Sequence, residues 1–267
     1  MTTLRHQALS VLLECNPDRK AARARAADAT ATSGSPLFLP EPAGIPGRPA
    51  LPVLVPPTEV GLRSVATVEG RAILIHALAH IELNAIDLAA DACWRFADLP
   101  DEFHRDWFRV MQEEALHFEL LRAHLATLGH RYGDFPAHNA LWEMAERTRD
   151  DVMARVALVP RTLEARGLDA SPAVRHKLAS AGDRAGAAII DRILRDEIGH
   201  VRVGNRWYAW LCERDGLDPL ATYAVLTTRY RAPQLRGPFN LEARRAAGFS
   251  AAELDALVDA RGPLAAA

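Results

Sequence analysis

Two stretches of this sequence carry one chemical pattern: Glu113-Glu114-Ala115-Leu116-His117 and Asp196-Glu197-Ile198-Gly199-His200. Each has an acidic residue, then a glutamate, then a histidine three positions after that glutamate. Residues three apart share a helix face, so each stretch offers a carboxylate and an imidazole to one point. Two such helices, each joined by one more glutamate from a neighbouring helix, supply the donors of a carboxylate-bridged pair of metal ions. Hard oxygen and imidazole donors suit iron or manganese rather than a structural zinc.

The surroundings of the pattern favour that chemistry. Around Glu114 the apolar seam reads Phe103, Trp107, Val110, Glu114, His117, Leu121, His124 and Leu128. Around Glu197 it reads Ile190, Ile193, Glu197, His200, Gly204, Trp207 and Leu211, and a third seam of Ile75, Leu78, Glu82, Ala85, Ala89 and Cys93 carries Glu82. Ionisable groups in core-facing stripes are costly unless paired or bound to metal. Glu114 follows Glu82 by 32 positions and Glu197 follows Glu164 by 33, so the order Glu, then Glu-x-x-His, occurs twice. That is the pattern of two helical hairpins facing each other. Glu143 and Glu146 compete with Glu164 but do not keep the repeat spacing. Glu113 and Asp196 each stand one helical turn before a histidine and are candidates to orient the imidazoles, against the plainer reading of solvated helix acids. His76 and His80 lie near the expected centre, His124 reads as a core histidine, and Trp107 and Trp207 read as packing residues.

Helices must position these groups. A short amphipathic helix is expected over 3–14 and a second over 18–27. Eight of the 17 prolines then fall between Ser35 and Pro57, which predicts an extended strap. Its apolar members, Leu37, Phe38, Leu39, Ile45, Leu51, Val53, Leu54 and Val55, predict that it lies against the body of the protein. Long helices are expected over 70–96 and from Pro100 to about 128. A third is expected over 139–166, kinked by Pro160 and ended by Gly167, with Ser171-Pro172 opening a short helix to 180. The last long helix is expected over 183–214, followed by helical packing segments. There is no credible strand and no phosphate-binding glycine loop.

With 267 residues the chain can bury a sizeable core. A net charge of -2 gives no overall pull toward nucleic acid or anionic membrane. The three cysteines are widely spaced, which suggests reduced thiols and a cytoplasmic protein. The most apolar window, 72–94, contains His76, His80, Glu82, Asp87 and Asp91, too many ionisable groups for a membrane span.

The paired motifs resemble the ferritin-like di-metal carboxylate superfamily. More specifically, Ile81-Glu82-Leu83, Trp107 to His117, Gly133-Asp134-Phe135-Pro136-Ala137-His138, Leu158 to Asp169 and Gly237-Pro238-Phe239-Asn240 resemble an uncharacterised bacterial ferritin-like family, domain of unknown function four-five-five. The resemblance covers nearly the whole chain. It implies an all-α, ferritin-like four-helix bundle over 61–216, with N-terminal helices and strap (1–60) and a C-terminal helical extension (217–267). It also implies a metal site at Glu82, Glu114, His117, Glu164, Glu197 and His200, but no substrate. A more distant similarity is to a ferritin-like hydroxylase of a modified tRNA adenosine.

The expected function is a di-iron oxidase or oxygenase that uses dioxygen on a small molecule or modified nucleoside. Manganese or a mixed iron–manganese pair is an alternative metal content, and the electron donor and substrate stay open. The competing readings are a ferroxidase or metal-handling protein and a non-catalytic metal-binding scaffold. A monomer or dimer is expected rather than a cage.

Overall fold

The computed structural model describes residues 2–34, 39–60 and 64–259. Among them the secondary structure is helical, apart from an isolated bridge between Leu54 and Ala137. The chain divides into two compact units, one of 1–143 with 175–189 and one of 144–174 with 190–267.

The first unit is built on the hairpin of α3 (Val68–Arg95) and α4 (Asp101–Thr127). Thr67 caps α3 by accepting the Gly70 N–H at 3.0 Å, which satisfies one of the four amide donors orphaned at a helix start. Helix α3 is long and apolar enough to cross a membrane by length and composition, yet 72% of its most apolar stretch is buried in the protein. It is a core helix. Phe103, Phe108, Met111, Phe118 and Leu121 of α4 are buried on the hairpin seam. Helix α1 (Leu4–Leu12) packs on α3 and α2 (Pro17–Ala26) on α4. Lys20 of α2 reaches into the core to pair with Asp87, both almost wholly buried.

The strap does lie against this unit, but by a different means from the one its sequence predicts. Its backbone makes the contacts: Gly47 N–H to Leu12 O, Val55 N–H to Ala137 O and Ala137 N–H to Val53 O, at 2.7, 2.8 and 3.1 Å. Leu51, Val53 and Leu54 face outward, 53%, 60% and 40% exposed. Paired backbone, together with the buried rings of Pro46 and Pro52, holds the segment. Leu37 and Phe38 lie outside the described residues.

Beyond the hairpin the expected helix over 139–166 is broken into pieces. They are α5 (Ala140–Arg147), α6 (Val152–Leu158) and a π-helical turn, Val159–Glu164, which leads directly into α7 (Ala165–Ser180). Asp151 caps α6 through the Ala154 N–H at 2.9 Å. Pro160 does interrupt the helix, and the relief takes the form of the wide turn rather than a simple kink. Gly167 does not end a helix, and Ser171 is not an N-cap, because its hydroxyl donates back to Gly167 O at 2.7 Å. Helix α7 runs through Pro172 because the carbonyl that this proline leaves unbonded, that of Leu168, accepts from Asn240 Nδ2 at 3.2 Å. Asn240 also caps α10 (Leu241–Ala246).

Helix α8 (Arg184–Asp215) matches its expected span within a residue. Gly204 on α8 is required by close approach, since a Cβ there would come within 2.7 Å of the Pro160 ring. Ala165, Leu168, Val201, Ala243 and Ala247 form a buried cluster that seats α10 on α7 and α8. Helix α9 (Pro219–Arg229) and α11 (Ala251–Asp259) complete the second unit. The three thiols are free. Cys15 is exposed, while Cys93 of the first unit and Cys212 of the second are buried.

Candidate metal centre

In the first unit, α3 and α4 bring Glu82, Glu114 and His117 together, each at most 6% exposed. His117 Nδ1 donates to Glu82 Oε2 and to Glu114 Oε2, both at 3.2 Å. The antiparallel hairpin explains the convergence: the turn at 97–100 lies midway between the two glutamates. Burial, and then the neighbouring Glu114 carboxylate, push the Glu82 carboxyl well above the usual carboxylate range. Burial alone would lower His117, but its hydrogen bonds to the two carboxylates and their charges outweigh that and hold its proton far above the ordinary histidine range. Both shifts express one fact, that two buried donors, Glu82 and His117, retain protons that would otherwise leave. A divalent cation answers the same charge imbalance and competes with those protons.

The second unit repeats the motif with the same geometry. His200 Nδ1 donates to Glu197 Oε2 at 3.2 Å, and both residues are buried. Two donors side by side on an octahedral ion, with bonds of about 2.1 Å, stand roughly 3.0 Å apart. The donor spacing in both motifs therefore fits a metal ion as well as a proton.

Glu164 is half-buried at the end of the π-helical turn. A Cβ on Gly167, one turn later, would lie 3.7 Å from Glu197 Cγ, so the start of α7 runs against the Glu197 side chain. Counted from Gly182 in the turn, Gly167 stands level with Glu197 and Glu164 level with His200. Glu164 is therefore offset from Glu197 by about one turn. Glu143 and Glu146 are exposed on α5, where a carboxylate is well solvated.

The remaining polar residues named from the sequence separate into distinct roles. Glu113 is half-buried beside Glu114. Asp196 is also half-buried and accepts from Arg192 Nε at 2.5 Å, one turn back on α8. His124 donates through Nε2 to Asp183 Oδ2 at 2.8 Å, while Asp183 Oδ1 accepts the Gly186 N–H at 2.8 Å. It thus secures the cap of α8, in keeping with a core histidine. His76 and His80 serve the loop 131–138: His76 Nε2 accepts the Gly133 N–H at 2.9 Å, and His80 bonds Tyr132 Oη and His138 O at 2.7 and 3.1 Å. Gly133 has φ 104°, a turn conformation natural to glycine. The π-helical turn and the Asn240 contacts escaped the sequence reading. A proline four residues before a glutamate was the one local signal of the turn.

A family model described as "Protein of unknown function (DUF455)" matches residues 13–255. The chain is similar to an "Uncharacterized protein" of Haemophilus influenzae, 50% identical over 214 residues, covering 78% of this chain and 74% of that protein. No solved structure matches.

Proposed function

Because the chain belongs to the family described as protein of unknown function (DUF455), which assigns no activity, we propose its function from the site alone: a di-metal carboxylate oxidoreductase with a ferritin-like arrangement of its long helices. The observation that carries this reading is the repeated buried Glu-x-x-His motif, with His Nδ1 and Glu Oε2 3.2 Å apart in both copies. Glu82, Glu114, His117, Glu164, Glu197 and His200 are the proposed donor set. Four carboxylates and two imidazoles suit two iron ions, with manganese or a mixed pair as alternatives. Ferrous ions held there would supply electrons to dioxygen, and the oxidising equivalents so formed would take electrons from an organic substrate.

The protein's own contribution is the placement of charge. Glu114, and Glu82 once its retained proton leaves, supply carboxylate charge where water is excluded, and His117 fixes their orientation through one ring nitrogen. On metal loading these groups surrender retained protons. The test is metal content after reconstitution with ferrous iron under argon and desalting. The native protein should retain about two ions per chain and acquire an oxo-bridged iron absorption in air. Retention no greater than that of a Glu114→Ala, Glu197→Ala double variant would defeat the reading. Proton release on loading, followed with a pH indicator in weak buffer, should be lost in the same variant.

A further inference from the structure

The second unit contains a feature that the metal chemistry does not use. A cavity of about 700 Å³ is bounded by α9, the segment 231–235 and α11. Leu220, Leu235, Phe249 and Leu257 give it a largely apolar wall. That size and lining are those of pockets that take small organic molecules.

The charges on the wall are unequal, with Arg161, Arg231 and Arg244 against Glu253. Two of the arginines are built into the unit. Arg244 pairs with Asp169 at 2.7 Å. Arg161 is 4% exposed, gives Nε to Asn205 Oδ1 at 2.8 Å and pairs through Nη2 with Glu253. Its guanidinium also lies 5.0 Å from the ring centres of Tyr223 and Phe249. Arg231, in contrast, makes no ion pair among the described residues.

Arg231 also occupies an unusual backbone position, the only non-glycine residue of positive φ among the described residues, at 51°. It follows α9 at the position where glycine is the usual occupant, with the Arg231 N–H on Thr228 O at 3.2 Å and the Ala232 N–H on Thr227 O at 2.9 Å. A helix C-terminus favours a cation nearby, but does not require it in a left-handed conformation. The Arg231 side chain is exposed, so solvent is the partner of its guanidinium on the wall of this apolar cavity, and the acid group of a bound molecule can replace that water.

We propose that this cavity binds a small organic acid with an apolar body. The acid group pairs with Arg231, and the body lies against Leu235, Phe249 and Leu257. Such binding needs no metal and is measured on the purified protein by fluorescence of anilinonaphthalene sulfonate, an aromatic anion. Saturable binding is expected with the near-ultraviolet circular dichroism unchanged. Decanoate should displace the probe, and decanol should do so at least about tenfold less well. Arg231→Gln should weaken decanoate about tenfold and leave decanol unchanged, while Leu257→Trp, which fills the cavity, should abolish both. Arg231→Gly should lose decanoate affinity while raising the melting midpoint, a combination that a damaged fold would not give. Absence of saturable binding, equal displacement by decanol, or undiminished decanoate binding in Arg231→Gln would overturn the assignment.

Discussion

His76 accepts the Gly133 N–H through Nε2, which fixes a neutral imidazole with its proton on Nδ1. His80 donates Nε2–H to His138 O and accepts from the Tyr132 hydroxyl at Nδ1, so it too is neutral. Burial lowers both from 6.5 to about 4. Unfolded histidines take their protons near 6.5, so between pH 6.5 and 4 the unfolded chain binds more protons and stability falls as pH drops. Each contributes a loss of about 3 kcal/mol by pH 4. Asp87 opposes them: burial raises it to about 6 despite Lys20, so over the lower part of that range the folded state gains protons. Glu82, raised to about 8 chiefly by burial, opposes them as well, so the histidine share is read from the difference between native and variant. Urea unfolding at a series of pH values gives the slope of stability with pH. His76→Asn should lessen the loss of stability toward pH 4, while costing about 1 kcal/mol at pH 7 from the lost Gly133 hydrogen bond. An unchanged slope would mean that His76 is not buried neutral.

At the scale of elements, α3, α4 and α8 were legible in the sequence because a strong apolar period, bounded by Thr67, Pro100 and Asp183, marks each one. The first Glu-x-x-His cluster was legible for the same reason, since an even hairpin spacing sets Glu82 beside His117. What could not be read was the path from 152 to 180. Proline at 172 ends a helix by local rules, and the partner that lets it continue, Asn240, stands 68 positions later. The wide turn at 159–164 likewise depends on a remote residue, because Pro160 fits only where Gly204 lacks a side chain. Within the turn, Thr162 Oγ1 donates to Ala157 O at 2.7 Å and meets Tyr223 Oη at 2.7 Å. Gly204→Ala should therefore cost about 1–3 kcal/mol by chemical denaturation. It should also lower iron retention through displacement of Glu164. Gly167→Ala, whose Cβ meets only ordinary contacts, should leave the Glu197 geometry and metal retention near native.

For the molecule as a whole, the most apolar part of the chain is the helix that carries the first candidate glutamate, Glu82. In α3 every residue from Glu82 to Trp94 is buried, so a buried acid and the centre of a core share one rod. The polar residues on it that do not face the candidate metal are matched elsewhere: Asp87 by Lys20, Asp91 by Arg95, His80 by Tyr132. A core so furnished holds the candidate donors Glu82, Glu114 and His117 in place.

The distribution of sulfur gives this chain a built-in clock for each of its halves. Cys93 is sealed in the first unit, with its thiol pushed up to about 12 by burial, and Cys212 is sealed in the second. Cys15 alone meets solvent. With an excess of a chromogenic disulfide reagent, one thiol should react at once and serve as the internal standard. The two slower phases, assigned by mass spectrometry of the tagged peptides, then time the opening of each unit separately. Metal loading should slow both if each unit supplies ligands to the same pair of ions. Slowing of one phase alone would place the ions within a single half.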